Sequence, residues 1–82
     1  MKRAEIIEGL RELLTRQQQI KVDVKTIGED TRLTQIGFDS ISILDFIYDV
    51  ENRFNVQTEM ADLVRMERVK DLIDYLESRL AG

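Results

Sequence analysis

The chain has 82 residues, a formal net charge of −4, and neither cysteine nor histidine. This length makes one small domain, residues 1–82, and the inventory removes thiol nucleophiles, disulfides, Cys/His zinc sites and every triad that needs an imidazole. An enzyme acting alone is therefore not expected, the acidic balance opposes a nucleic-acid-binding face, and no run approaches the roughly 18 apolar residues of a membrane span.

The opening Met1-Lys2-Arg3-Ala4-Glu5-Ile6-Ile7-Glu8 is broken by acids too early for a secretory signal, and a cytoplasmic setting fits it. Over roughly residues 2–15, Ile6, Leu10, Leu13 and Leu14 recur at helical spacing with charges between them, which predicts a first helix facing a core. Gly9 interrupts this helix at a cost of roughly 1 kcal/mol relative to alanine.

Residues 16–38 are the least regular part. Ile20, Val22 and Val24 alternate with polar residues, but no second strand of similar quality can pair with them. The segment reads as an extended loop whose Ile20, Val22, Ile27, Leu33 and Ile36 dip into the core. Asp23 and Gly28 match the opening of a calcium loop in spacing, yet Lys25, Ile27 and Thr34 stand where oxygen ligands are required, so no metal is expected.

A second helix is predicted over 40–54, after Gly37-Phe38-Asp39-Ser40, with Asp39 as a good N-cap. At about 100° per residue, Ile43, Phe46, Ile47, Val50 and Phe54 form one apolar sector, suited to the core. Ile41, Leu44 and Tyr48 form another, bordered by Asp45, Asp49 and Asn52. This second strip is either covered by the long loop or exposed to a protein partner. The acids concentrate here, because residues 39–64 hold six Asp/Glu and one Arg, a local field that would steer basic partners.

Ser40 stands at the edge of the strip. It either shares the helix cap with Asp39 or carries a modification; a phosphate there would meet free backbone N–H groups and the positive end of the helix dipole. A short third helix follows over about 58–64, with Thr58 as a possible cap. A fourth runs over about 68–80 with Val69, Leu72, Ile73, Leu76 and Leu80 on one stripe and no Ser, Thr, Asp or Asn to cap it. The fold class is thus all-α: a small four-helix bundle with a long loop between its first and second helices and a short third helix.

Gly37-Phe38-Asp39-Ser40-Ile41, opening an acidic helix that ends in Glu51-Asn52-Arg53-Phe54-Asn55-Val56, resembles the acyl carrier protein family and its motif Gly-x-Asp-Ser-Leu/Ile. The resemblance runs over essentially the whole chain. It implies that Ser40 receives 4′-phosphopantetheine from coenzyme A through a phosphopantetheinyl transferase, and that the arm's thiol carries acyl groups as thioesters. It also implies docking through Asp39, Ile41, Leu44, Asp45, Tyr48 and Glu51 onto basic patches of acyl-transferring, condensing or ligase enzymes of fatty-acid, polyketide or related biosynthesis. By the same likeness Phe46, Ile47 and Leu63 would line a space for cargo, and the chain would act as a monomer.

The sequence departs from the family pattern around the third helix. Gln57-Thr58-Glu59 replaces the common Ile-Pro-Asp/Glu, Met60, Ala61 and Val64 occupy positions that are often acidic, and Arg68 replaces the usual Thr or Ser. These departures favour a specialised carrier. The alternatives are an aminoacyl or peptidyl carrier, or an unmodified acidic helical interaction module. A helix-turn-helix DNA binder is opposed by Asp45, Asp49 and Glu51 on the would-be recognition helix.

Overall fold

The stripes of apolar residues fold as their periods require. The computed structural model describes residues 2–17, 20, 22–39 and 41–80. Its elements are α1 (Arg3–Thr15), a 3-10 turn (Val24–Thr26), α2 (Leu33–Ile36), α3 (Ser42–Phe54), α4 (Met60–Leu63) and α5 (Val69–Leu80), with no strand among the described residues. α1 packs against both α3 and α5, so one core lies between the three long helices. α1 contributes Ile6, Leu10, Leu13 and Leu14 to that core. α3 adds Phe46, Ile47, Val50 and Phe54, and α5 adds Val69, Leu72, Ile73 and Leu76.

Gly9 has a packing reason. A Cβ built there would lie 2.7 Å from Cζ of Phe54, whose ring is buried. The helix loses propensity at this residue and gains the close approach of an aromatic ring.

The segment between α1 and α3 is more ordered than a plain loop. Asp23 accepts the backbone N–H of Lys25 at 2.9 Å and opens the 3-10 turn, and four residues from Leu33 form α2. A helix of one turn has too few residues to show a period, which is why the sequence pattern missed it. Gly37 closes it at φ 116°, a left-handed conformation that favours glycine. Ile27, Ile36 and Phe38 are buried, while Ile20, Val22 and Leu33 pack half-buried against the core. The loop residues do dip inward, as expected.

The start of α5, which has no Ser, Thr, Asp or Asn just before it, is held from elsewhere in the chain as well as by its own Asp71. Val69 N–H donates to the Thr31 carbonyl at 2.9 Å, and Lys70 N–H to that of Glu29 at 2.8 Å. In return Leu33 N–H donates to the Glu67 carbonyl at 2.9 Å, beside an antiparallel bridge between Arg32 and Arg68. Asp71 reaches back so that one oxygen accepts the N–H groups of Glu67 and Arg68, both at 2.9 Å. Those two bonds, Arg68 first, hold its carboxyl below the ordinary aspartate value of 3.8. Arg3 closes the same corner, donating to Glu29 at 2.6 Å and Asp74 at 2.7 Å. The Glu29 carboxyl is lowered accordingly by its bond to Arg3.

Candidate docking and attachment site

The site is built on the N-terminal end of α3. Regular helix begins at Ser42, but its hydrogen bonding begins at Asp39. The Asp39 carboxylate accepts the N–H of Ile41 at 2.9 Å and of Ser42 at 2.7 Å through one oxygen, and its carbonyl accepts Ile43 N–H at 3.1 Å. Ser42 Oγ accepts Asp39 N–H at 2.9 Å, a reciprocal pair of the capping-box kind. Donation from Ser42, backbone first and then hydroxyl, with Ile41 next, keeps the Asp39 carboxyl below 3.8.

Asp39 thus caps the helix as expected, and Ser42 is a partner that sequence reasoning did not single out. Its signal was available: a small hydroxyl residue three positions after an Asp cap. Ser42 is 6% exposed. Ser40 lies outside the described residues. The N–H groups of Ile41, Ser42 and Ile43, anticipated as free donors for a phosphate, are already bonded to Asp39. Among these described residues, what remains for an anion is the dipole field of a 13-residue helix.

The two sectors of α3 separate as the rotation predicts. Phe46, Ile47, Val50 and Phe54 are buried and Ile43 is half-buried, whereas Ile41 is 73%, Tyr48 65% and Leu44 40% exposed. The described residues of the long loop leave the strip exposed. Asp45 is also exposed. Asp49 is half-buried and accepts from Gln17 Nε2 at 3.1 Å. Glu51 is half-buried as well, with one oxygen accepting both the N–H (2.8 Å) and the hydroxyl (3.0 Å) of Thr58. That corrects the reading of Thr58: it does not cap α4 but ties the α3–α4 connection to Glu51. α4 starts after an extended Glu59 with no side-chain cap, and it buries none of its residues fully.

Between α3, α4 and α5 runs an apolar cleft of about 280 Å³, lined by Ile43, Leu44, Ile47, Met60, Leu63 and Val64 with Leu33, Met66 and Leu72. A second recess of about 260 Å³ shares Leu33, Ile43, Leu63 and Met66 with it and reaches Phe38 and Asp39. The apolar crevice therefore extends to the residue that precedes position 40. Ile47 and Leu63 line it as anticipated. Phe46 does not: its ring is buried, 4.9 Å from the Phe38 ring, as part of the core that holds the start of α3.

The backbone on either side of position 40 is held by Asp39 and Ser42, and an apolar crevice reaches Asp39. Among the described residues no group of His, Cys, Asp or Glu could hold a metal ion. No described helix is long and apolar enough to cross a membrane.

Comparison with known proteins agrees with this geometry. The chain is 29% identical over 79 residues to the acyl carrier protein of Thermotoga maritima, covering 95% of each chain. It is 26% identical over 76 residues to nodulation protein F of Rhizobium leguminosarum bv. viciae, covering 90% of this chain and 83% of that one. The fold superposes on the solved structure of the acyl carrier protein from Enterococcus faecalis with a TM-score of 0.78 at 20% identity, covering 96% of this chain and 99% of that one. A family model described as the phosphopantetheine attachment site matches residues 8–76. With most of the helical bundle inside that match, the chain belongs to the phosphopantetheine attachment site family, which consists of carriers rather than enzymes.

Proposed function

We propose that the protein is an acyl carrier whose 4′-phosphopantetheine arm is attached to Ser40. The observation that carries this reading is the apolar crevice that ends at Asp39, immediately before that serine. When bound, the group supplies a thiol on a flexible arm, to which an acyl chain is joined as a thioester. The chain's own residues do the rest. Asp39 and Ser42 fix the backbone around the attachment point. Leu33, Ile43, Leu63 and Met66 offer apolar surface beside it. Tethering raises the effective concentration of cargo at each enzyme that docks.

Docking belongs to Ile41, Leu44 and Tyr48, with Asp45 the most available carboxylate and Glu51 beside the strip. Asp39 takes part mainly by setting the helix start. The phosphopantetheinyl transferase and acyl-transferring, condensing or ligase enzymes are the partners in this reading, and cytoplasmic residence belongs to the same proposal. The low acidity of α4 supports a specialised rather than a general fatty-acid carrier.

The test is intact mass after incubation with coenzyme A and a broad-specificity phosphopantetheinyl transferase. One phosphopantetheine should be added to the native chain and none to Ser40→Ala. An unmodified native chain, or a modified Ser40→Ala, would overturn the reading.

A further inference from the structure

Two arginines face each other where the start of α2 meets the start of α5. In the antiparallel bridge between Arg32 and Arg68, Leu33 N–H donates to the Glu67 carbonyl and Val69 N–H to the Thr31 carbonyl. The hydrogen bonds fall on the flanking residues, so Arg32 and Arg68 are a non-hydrogen-bonded pair. In that arrangement the Cβ atoms lie about 4.5–5.5 Å apart on one face. Leu33 is half-buried and Val69 buried, which makes theirs the inner side of the bridge and puts the arginines on the outer side. Arg32 is exposed and Arg68 half-buried.

Like charges directly opposite each other destabilise such a bridge, and the surrounding residues do not neutralise these two. Ion pairs among the described residues engage Arg3, Arg11, Arg53 and Arg79, but neither Arg32 nor Arg68. Arg68 Nη1 donates to the Asp30 carbonyl at 2.8 Å, which orients the guanidinium and leaves its charge. The exposed Asp30 and Glu67 pair with neither arginine. Asp71 shares its field between Arg68 and Lys70, while one of its oxygens is held by the N–H groups of Glu67 and Arg68. A chain of net charge −4 thus keeps an unpaired arginine couple at one corner. Arg68, which replaces the Thr or Ser of the family pattern, completes it.

We propose that this corner docks an acidic helix of a partner protein, one that presents two carboxylates a turn apart. Each guanidinium is a planar fork that takes one carboxylate through two parallel hydrogen bonds. Acids at i and i+4 of a helix have Cβ atoms about 5–6 Å apart, close to the spacing of the bridge pair. Acids on one face of a strand stand about 6.4–6.8 Å apart, which is too wide for both forks. A single small anion gains little at so exposed a pair, because water and salt compete for it. The proposal goes beyond the carrier reading and uses no residue of the crevice or of the α3 strip.

The probe is an alanine-based helical peptide with glutamates in i, i+4 pairs; the control has the same composition with its glutamates at i, i+2, which do not face one another on a helix. Each is added to the full-length protein at fixed ionic strength. The readout is the initial slope of the amide shifts of residues 31–33 and 67–70 against peptide concentration. The slope should be steeper for the paired peptide. Arg32→Gln should lower it about fivefold, as expected for the loss of one exposed ion pair. Its melting temperature should stay level or rise, because the like-charge contact is gone. Equal slopes for the two peptides, or an unchanged slope in Arg32→Gln, would overturn the proposal. Complete suppression by inorganic phosphate at the same ionic strength would assign the pair to a small anion and overturn it as well. Loading with coenzyme A is measured separately by mass, so the carrier reading stands or falls independently.

Discussion

The two helices that border the cleft, α3 and α4, are held in opposite ways. α3 has 13 residues, a reciprocal cap at Asp39 and Ser42, and four apolar side chains buried in the core. α4 has one turn, no side-chain cap and no fully buried residue. It is tied by the Glu51–Thr58 bonds before it, by the pairing of its own Asp62 with Arg79 of α5, and by Leu63, half-buried against the core. Tyr75 of α5 packs beside Asp62 and Met66 with the Arg79 guanidinium 4.9 Å from its ring. Burial, together with the Asp62 carboxylate, pushes its phenol above 10.0. The distribution of buried apolar area makes α3 the firmer wall of the cleft and α4 the looser one.

The largest test of the rigid wall is Phe54→Ala. Removing this ring should cost roughly 3–5 kcal/mol, because the α1 backbone at Gly9 cannot collapse into the space by side-chain movement. In a domain of this size that is a large share of the net stability, and a denaturant midpoint measures it; an unchanged midpoint would break the contrast. Gly9→Ala tests the same contact from the other side. The added Cβ would overlap Phe54 Cζ, so a net loss of about 1–2 kcal/mol is expected after the gain in helix propensity. An increase in melting temperature would show that the ring can move aside.

The acid limb of the stability profile comes next. Asp39, Asp71 and Glu29 all have carboxyl values lowered by folding. Their contribution is therefore fully present above the ordinary carboxylate range near 3.8–4.5 and is lost as pH falls through the lower folded values. Melting temperature should be level above about pH 5 and decline below it. Asp71→Ala should lose about 1 kcal/mol of stability at neutral pH, as for other lost caps, and show a shallower decline. The same melting temperature and the same acid slope in this variant would place the sensitivity elsewhere.

Arg79→Ala carries the smallest expected effect. The Asp62–Arg79 pair is exposed and long, worth about 0–1 kcal/mol, so global melting should barely change. Amide exchange at Met60–Leu63 should nevertheless quicken more than at Phe46–Val50. Equal changes in both helices would mean that α4 and α3 open as one unit.

Much of this architecture was legible in the residues. Stripes such as Val69, Leu72, Ile73 and Leu76 repeat often enough for their period to mark both a helix and its buried face. The rotation of α3 likewise separated Phe46 and Val50, which are buried, from Ile41 and Tyr48, which are exposed. Asp39 announced its cap because that interaction lies within a few residues of chain.

Other features involve residues far apart in sequence, and only the tertiary structure decided them. The cap of α5 comes from Glu29 and Thr31, Gly9 is explained by Phe54, and Phe46 turns to Phe38 rather than to the cleft. Glu51 is one of six acids in residues 39–64 by composition, yet packing gives it Thr58 as a ligand. Periodicity determined which residues form helices and which faces are apolar, since local geometry sets both. Which carboxylates remain available to a partner depended on contacts between elements, as Asp49 with Gln17 and Glu51 with Thr58 show.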